Sequence, residues 1–173
     1  MPDESVDGQL DDGAWARWLS DVRDFRSLLE GESARGVGVL ARAYLDDLLD
    51  AILRSHAMRC PGDAARCIAD SFDRRIKACR ELALLGEQTL GDLERFRMIG
   101  KLFAHTPPIR TLTHKDVVRE IRHLSGARAF KKLGITRDEG ATRLAIDISM
   151  TQCLAELSEA LVRPRPCRNE LAT

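Results

Sequence analysis

The sequence lacks an excess of charge of either sign and any long apolar run. Its 173 residues carry 27 basic and 27 acidic side chains, so net charge does not indicate binding to nucleic acid or to a membrane. No apolar segment approaches the roughly 20 residues that a membrane-spanning helix needs. The opening stretch, MPDESVDGQLDD, is acidic and unlike a signal or transit peptide. We therefore expect a cytoplasmic protein with no membrane partner.

Cysteine is scarce and forms no paired motif. The five cysteines are odd in number, irregularly spaced and without a Cys-x-x-Cys pair, at Cys60, Cys67, Cys79, Cys153 and Cys167. In a chain with no visible export signal, this pattern predicts reduced thiols.

His56 and Cys60, four residues apart with Cys67 beyond them, supply atoms that bind zinc. A closed zinc site needs four ligands, and the spacing offers no evident fourth. We interpret His56 instead as a histidine that interacts with the dipole of a helix C-terminus. The sequence therefore predicts no metal and no cofactor.

The sequence also lacks the common motifs of enzymes. It has no nucleophile elbow and no Gly-rich phosphate loop. The Gly-x-Gly of RGVGVL lies inside a helical pattern, where we expect Gly36 and Gly38 to let another helix approach closely. Asp46 and Asp50 lie one helical turn apart, beside Asp47. Because no Glu-x-x-His partner segment accompanies these aspartates, we expect a solvated face or pairing with Arg42 and Arg54 rather than a di-iron site.

The apolar spacing predicts an all-α fold. Apolar residues recur at three- and four-residue intervals, and no strand-like alternation or internal repeat is present. The predicted helices cover 12–29, 33 to just before 60, 63–86 with a break near 70–71, about 89–106, 111–124 capped by Thr113, and 138–162. We predict a single-domain bundle of five to six helices over 13–163, with a disordered acidic N-terminus at 1–12 and a flexible tail at 164–173.

Charge is unevenly distributed along the chain. The first 32 residues are strongly acidic, and the segment from Arg95 to Lys132 is strongly basic. The candidate face for an anion or a partner consists of Arg97, Lys101, His105, Lys115, Arg119 and Arg122. The simpler interpretation, which we favour, is that acidic and basic faces of one molecule or a dimer neutralise each other.

The segment THKDVVREIRHL has side chains that could contact DNA. A helix-turn-helix is identified by a tight turn, whereas a proline-rich loop precedes this segment. Direct nucleic-acid binding is therefore possible but not favoured.

Three segments resemble the mannitol operon repressor (MltR) family. They are GESARGVGVLARAYLDDLLDAIL, FDRRIKACRELALLG and DLERFRMIGKLFAH, within a match from Glu32 to Leu124. In that family a Ser-x-Arg segment opens a long helix with a Leu-Asp-x-Leu-Leu pattern, followed by Phe-x-x-Arg-Ile and an ending in Phe-Ala-His. The residues that carry the resemblance are Ser33, Arg35, Leu45, Asp46, Leu48, Leu49, Phe72, Arg75, Ile76, Phe103, Ala104 and His105.

The Phe-Ala-His ending is also similar to HEPN helical domains, whose ribonuclease members pair an Arg with a His. The resemblance implies a HEPN-like core, in which the Arg would stabilise phosphate charge and the His would transfer a proton. The motif places the Arg at position 100, where this chain has Gly100, and Arg97 is one residue too far from His105 for the pattern. We therefore predict no catalytic residue, and His105 has a catalytic role only if the ribonuclease alternative holds.

The preferred hypothesis is an MltR-like regulator that is not an enzyme. The resemblance implies a transcriptional repressor or co-regulator, and the absence of a DNA-reading motif implies that it acts through a protein partner, such as a transcription factor. The alternative is a HEPN-type ribonuclease or toxin-like component, inactive because of Gly100. We also expect a homodimer, because the first two helices carry more apolar surface than a four-helix packing absorbs.

Overall fold

The computed structural model describes residues 12–133, 138–163 and 167. These residues form eight α-helices and, among them, no strand, which confirms the all-α prediction. The helices are α1 (Asp12–Glu30), α2 (Ala34–Arg59), α3 (Ala64–Cys67), α4 (Phe72–Glu81), α5 (Glu87–His105), α6 (Lys115–Ile121), α7 (Ser125–Leu133) and α8 (Glu139–Val162), with a 3₁₀ turn at Pro61–Asp63.

The predicted terminal segments lie almost wholly outside the described residues. Within them, Asp12 begins α1 and Cys167 is placed beside α2. None of the described helices is both long enough and apolar enough to cross a membrane.

Helix α2 is the central helix, as its wide apolar face predicts. It contacts α1, α3, α4, α5 and α8. Leu45 and Leu49 are fully buried, and Val37, Ala41 and Leu53 are each 1% exposed. They belong to one apolar core shared by helices from α1 to α8, so the described helices form a single bundle.

The helix count exceeds the prediction for two reasons. The predicted third helix is divided into α3 and α4 at the expected break, where the Ser71 hydroxyl accepts from Arg74 N and caps α4. The helix predicted over 111–124 is α6, which ends at Ile121, and α7, which begins at Ser125, lies where no helix was predicted.

Two helix ends also differ from their predictions. The cap of α6 is His114, whose Nδ1 accepts from Asp116 N, and not Thr113. Helix α4 ends at Glu81 rather than at Gly86, and Ala83 follows it with a positive φ of 53°. The predicted start of α8 is confirmed, because the Asp138 carboxylate accepts from Ala141 N at 2.6 Å.

Contacts between helices fix both ends of α5. At its start, Glu156 of α8 accepts hydrogen bonds from Gly86 N and from the Thr89 hydroxyl. Past its end, Arg35 of α2 donates to the carbonyl oxygens of Pro107 and Ile109, at 3.2 and 3.3 Å. The segment that carries the Phe-Ala-His motif is therefore anchored to α8 and α2.

Candidate functional site

The Phe-Ala-His motif forms the last turn of α5. Phe103 is fully buried in the core, whereas Ala104 and His105 are exposed. The following residue, Thr106, ends the helix by donating its N–H to Leu102 O at 3.0 Å. His105 is therefore accessible from solvent, and no ion pair to it occurs within the described part of the chain.

Gly100 lies at a close contact between α5 and α2. A Cβ atom at position 100 would lie 2.5 Å from Arg42 Cδ, 2.7 Å from Arg42 Cβ and 3.0 Å from the carbonyl oxygen of Gly38. Side chains do not tolerate such distances, and the Gly38 carbonyl belongs to the backbone of a central helix. The position at which HEPN ribonucleases carry Arg therefore has no room for a side chain here.

The two glycines of RGVGVL differ in role. A Cβ atom on Gly38 would overlap the ring of Phe103, which confirms that this glycine admits α5. A Cβ atom on Gly36 would instead overlap the Glu32 side chain, which precedes the same helix. The expectation that Gly36 admits another helix stays a prediction.

Arg42 of α2 occupies the space in front of Gly100. Its Cβ and Cδ are the atoms that a side chain at position 100 would meet. Its Nε is buried and has no hydrogen-bond partner among the described residues. The aliphatic part of an arginine side chain thus fills the space at position 100, and it comes from the neighbouring helix rather than from α5 itself.

The six residues of the candidate face form two stripes. Arg97, Lys101 and His105 follow one another at four-residue spacing on α5, and Arg97 Nε lies 3.3 Å from Asp73 Oδ1 of α4. On α6, Arg119 lies near two acidic groups, with Nε 3.4 Å from Glu120 Oε1 and Nη1 3.8 Å from Asp116 Oδ1.

The other basic residues of this set, Lys101, Lys115 and Arg122, are exposed. No ion pair to any of these three side chains occurs among the described residues, so they and His105 are the members of the set that could meet a charged partner.

The two stripes point in different directions. Arg95 of α5 donates to Glu120 of α6 at 3.0 Å, so Arg95 marks the side of α5 that faces α6. Residues two apart on a helix differ by about 200° in direction, and Arg97 correspondingly faces α4. The structure therefore does not bring the α5 stripe and the α6 stripe together on one side of α5.

Four of the residues that carry the MltR resemblance make structural contacts. The Ser33 hydroxyl caps α2 by accepting from Gly36 N at 3.1 Å, and Arg35 anchors the loop after α5. Arg75 of α4 lies 2.5 Å from Asp46 Oδ1 and 3.2 Å from Asp50 Oδ1 of α2. These motif positions hold the helices together, and none of these contacts requires a ligand.

The aspartates of α2 are only partly paired as predicted. Asp50 binds Arg54 at 2.6 Å, which confirms one pair at four-residue spacing. Asp46 pairs with Arg75 of α4 and not with Arg42. Asp47 is exposed on the solvated side of the helix.

We found no match to this chain among protein-family models, curated proteins or solved structures. The resemblance to the MltR family therefore depends on the order and spacing of the motifs in the sequence.

A second cluster of chemically capable residues lies at the other end of α2. His56 is 2% exposed and its Nε2 lies 3.2 Å from Asp63 Oδ2. Cys60, between them, is disulfide-bonded to Cys167, 107 residues away in the sequence. The prediction of reduced thiols is therefore wrong for this pair, because the fold brings the C-terminal Cys167 back to the end of α2. His56 likewise pairs with a carboxylate rather than serving only the helix dipole.

The remaining cysteines are free thiols, as predicted. Cys67 is half-buried, and Cys79 and Cys153 are buried. Burial raises the pKa of the Cys79 thiol to about 12 and raises that of Cys153 well above its ordinary value. A high pKa leaves little thiolate, so these two buried thiols are poor nucleophiles.

Asp92 is a buried carboxylate that the sequence did not single out. It is 1% exposed and accepts hydrogen bonds from the backbone N–H of Ser125, at 3.0 Å, and from the Ser125 hydroxyl. Burial raises the pKa of Asp92 above its ordinary value, against the opposing effect of these hydrogen bonds and of Arg128. Its position beneath the start of α7 indicates a role in holding that helix.

Proposed function

We propose that this chain is a cytoplasmic, MltR-like regulatory protein, a transcriptional repressor or co-regulator that acts through protein contacts. The observation that carries the proposal is the close approach of α2 and α5 at Gly100. It leaves no room for the Arg of a ribonuclease site, while the motif positions around it serve to hold the bundle together. A chain that has these motif positions but lacks the catalytic Arg is suited to binding a partner rather than to cleaving RNA.

The exposed basic residues support contact with an acidic partner surface. Lys101 and His105 lie one turn apart at the end of α5, Lys115 begins α6, and Arg122 directly follows the end of α6. Unpaired exposed charges contribute chiefly to specificity and to the rate of association. We expect the partner to be a transcription factor that supplies the contacts to DNA.

The test measures promoter binding by the purified chain alone and with the transcription factors encoded nearest to its gene. Fluorescence anisotropy should show no tight binding by the chain alone and a ternary complex with the correct factor. Lys101→Glu should weaken that complex, whereas Lys77→Glu, at an exposed lysine of α4 that pairs with Glu81, serves as the matched control. Tight, sequence-specific binding by the chain alone would contradict the partner-dependent mechanism.

The ribonuclease alternative is favoured by one observation, the solvent accessibility of His105 on a helix where Arg42 lies over Gly100. An RNA cleavage assay should compare the wild type with His105→Ala and Arg42→Ala. Cleavage that disappears in both variants would support the alternative. The absence of cleavage, or equal cleavage in all three proteins, would remove it.

We also propose that the chain forms a homodimer. Leu28 of α1, Leu40 of α2 and Leu144 of α8 are 65%, 38% and 46% exposed, although all three helices contact one another in the bundle. Covering such side chains in a partner copy is favourable by about 25 cal/mol per Å² of apolar surface. Sedimentation should show a dimer at micromolar concentration that Leu40→Glu weakens, and a wild-type monomer would contradict the proposal.

A further inference from the structure

Three side chains with metal-binding atoms meet at the C-terminal end of α2, and a fourth, Cys167, is bonded to one of them. Donor atoms of His56, Cys60 and Asp63 all lie within 4.8 Å of one another, and all three residues are buried. The disulfide places the sulfur of Cys167 directly on that of Cys60. Cys167 is therefore the candidate for the fourth ligand, which the local sequence His56-x₃-Cys60-x₂-Asp63 lacks.

We propose that, in the reduced protein, His56, Cys60, Asp63 and Cys167 bind one zinc ion, and that oxidation replaces the ion with the Cys60–Cys167 disulfide. Two thiolates, one imidazole and one carboxylate form a four-ligand set of the kind that closed tetrahedral zinc sites use. Thiolate ligands also select zinc over calcium and magnesium, which prefer oxygen ligands.

The spacing of the donors suits the ion. Zinc binds nitrogen, oxygen and sulfur at about 2.0–2.3 Å, so the donors of a tetrahedral site lie roughly 3.3–3.8 Å apart. The His56 and Asp63 donors are already 3.2 Å apart. Small side-chain movements would therefore bring the group from its present separation, at most 4.8 Å among the first three residues, to that of a bound site.

The backbone holds three of the ligands in place. Cys60 N donates to His56 O at 2.8 Å, and Asp63 N donates to Cys60 O at 2.9 Å. These bonds link the last turn of α2 to the 3₁₀ turn, so His56, Cys60 and Asp63 are positioned before any ion binds. Ordering the site then requires little beyond the approach of Cys167.

Charge and hydrogen bonding favour an ion at this position. Two thiolates and the Asp63 carboxylate carry three negative charges against the two positive charges of zinc. Arg66 offsets the remaining charge, because its Nη1 lies 3.2 Å from Asp63 Oδ1, the carboxylate oxygen that faces away from His56.

The exchange between the two states balances with a small-molecule disulfide as oxidant. The two cysteine thiolates give up two electrons and form the S–S bond, while the oxidant disulfide accepts those electrons and leaves as two thiolates. The zinc ion loses two ligands and is released. A dithiol reductant reverses the step, and the regenerated thiols lose their protons when zinc binds again.

The test uses the full chain, reduced with a phosphine, incubated with zinc and desalted. Atomic emission should find about one zinc ion per chain, and an added small-molecule disulfide should release it to a chromogenic chelator. Cys167→Ser and Asp63→Asn should bind zinc at least about tenfold more weakly. Cys67→Ser is the matched control, since Cys67 is a half-buried cysteine outside the cluster and should keep full binding.

Two measurements on the wild type make the result independent of whether the variants fold. Cobalt substitution should give the intense visible bands of a tetrahedral site with thiolate ligands. Zinc should protect Cys167 from alkylation without protecting Cys67, which is exposed to a similar degree. A reduced wild type that retains no zinc, cobalt spectra without thiolate bands, or equal alkylation of the two cysteines with and without zinc would each overturn the proposal.

Discussion

Arg75 of α4 binds Asp46 of α2 at 2.5 Å, and these two residues belong to separate motifs, 29 positions apart, that both carry the resemblance to the MltR family. The Arg75 and Asp46 side chains are 18% and 23% exposed, and Asp50 also faces the guanidinium at 3.2 Å. The ion pair therefore connects the central helix to α4 in a partly desolvated position.

Breaking this pair should destabilise the bundle. Arg75→Ala and Asp46→Ala should each lower the free energy of unfolding by about 1.5–3 kcal/mol, as for hydrogen bonds to charged groups, and a double-mutant cycle should show coupling. Urea unfolding measures the free energies of the single variants and, with the double variant, the coupling energy. The neighbouring Arg74, whose pair with Asp70 is largely exposed, is the control, and Arg74→Ala should cost less than about 1 kcal/mol. Equal losses for Arg74 and Arg75 would contradict this role.

A side chain introduced at position 100 should destabilise the fold. Gly100→Ala should lower the free energy of unfolding by about 1–3 kcal/mol, because its Cβ would press on Arg42 and on the Gly38 carbonyl. Gly91→Ala tests the same substitution on the same helix, where nothing lies within 4 Å, and should stabilise by about 0.5–1 kcal/mol. Thermal unfolding of the two variants should therefore move in opposite directions.

Asp92 should make stability depend on pH. The pKa of Asp92 is raised in the folded state, so the folded protein binds this proton more tightly than the unfolded chain does. The stability that Asp92 contributes therefore falls as the pH rises from 3.8, the ordinary pKa of the group, through the raised pKa. Asp92→Asn cannot titrate, so its stability relative to wild type should increase over that range. Urea unfolding midpoints measured across this pH range test the prediction, and Asp47→Asn, at an exposed carboxylate, is the control. Parallel pH profiles for Asp92→Asn and wild type would refute it.

Ala83 should be replaceable by glycine with a gain. Its φ of 53° lies in the left-handed region, which costs a non-glycine residue roughly 1–2 kcal/mol. Glycine loses more conformational entropy on folding than alanine does, and this cost offsets part of the gain. Ala83→Gly should therefore stabilise the protein by up to about 1 kcal/mol. Ala155→Gly, at an exposed position inside α8, should instead lose about 1 kcal/mol. Denaturant midpoints of the two variants provide the comparison.

Apolar spacing was sufficient to predict the long helices. The predicted spans for α2, α5 and α8 agree with the structure to within a few residues, because each helix has a continuous buried stripe that includes residues such as Leu45, Phe96 and Leu154. The break before α4 was visible as well, since Ser71 is a strong helix cap.

Features that depend on distant residues could not be predicted from local patterns. Helix α7 begins at Ser125, and the carboxylate that accepts its first N–H belongs to Asp92, 33 residues earlier. Cys60 forms a disulfide with Cys167, which lies 107 residues later in the sequence. The sequence showed that position 100 lacks an Arg, but only the packing of α2 against α5 shows that Arg42 fills the space.

The contact between α2 and α5 also limits which residues can occupy positions 42 and 100. An Arg introduced at position 100 would collide with the existing Arg42 and with the Gly38 backbone, so that single replacement would destabilise the fold. A shorter side chain at position 42 would not be enough, because the Cβ of that residue would itself lie 2.7 Å from the new Cβ, and only glycine at position 42 removes this contact. Among descendants of a common ancestor, we therefore expect positions 42 and 100 to change together, with bulk present on one helix or the other.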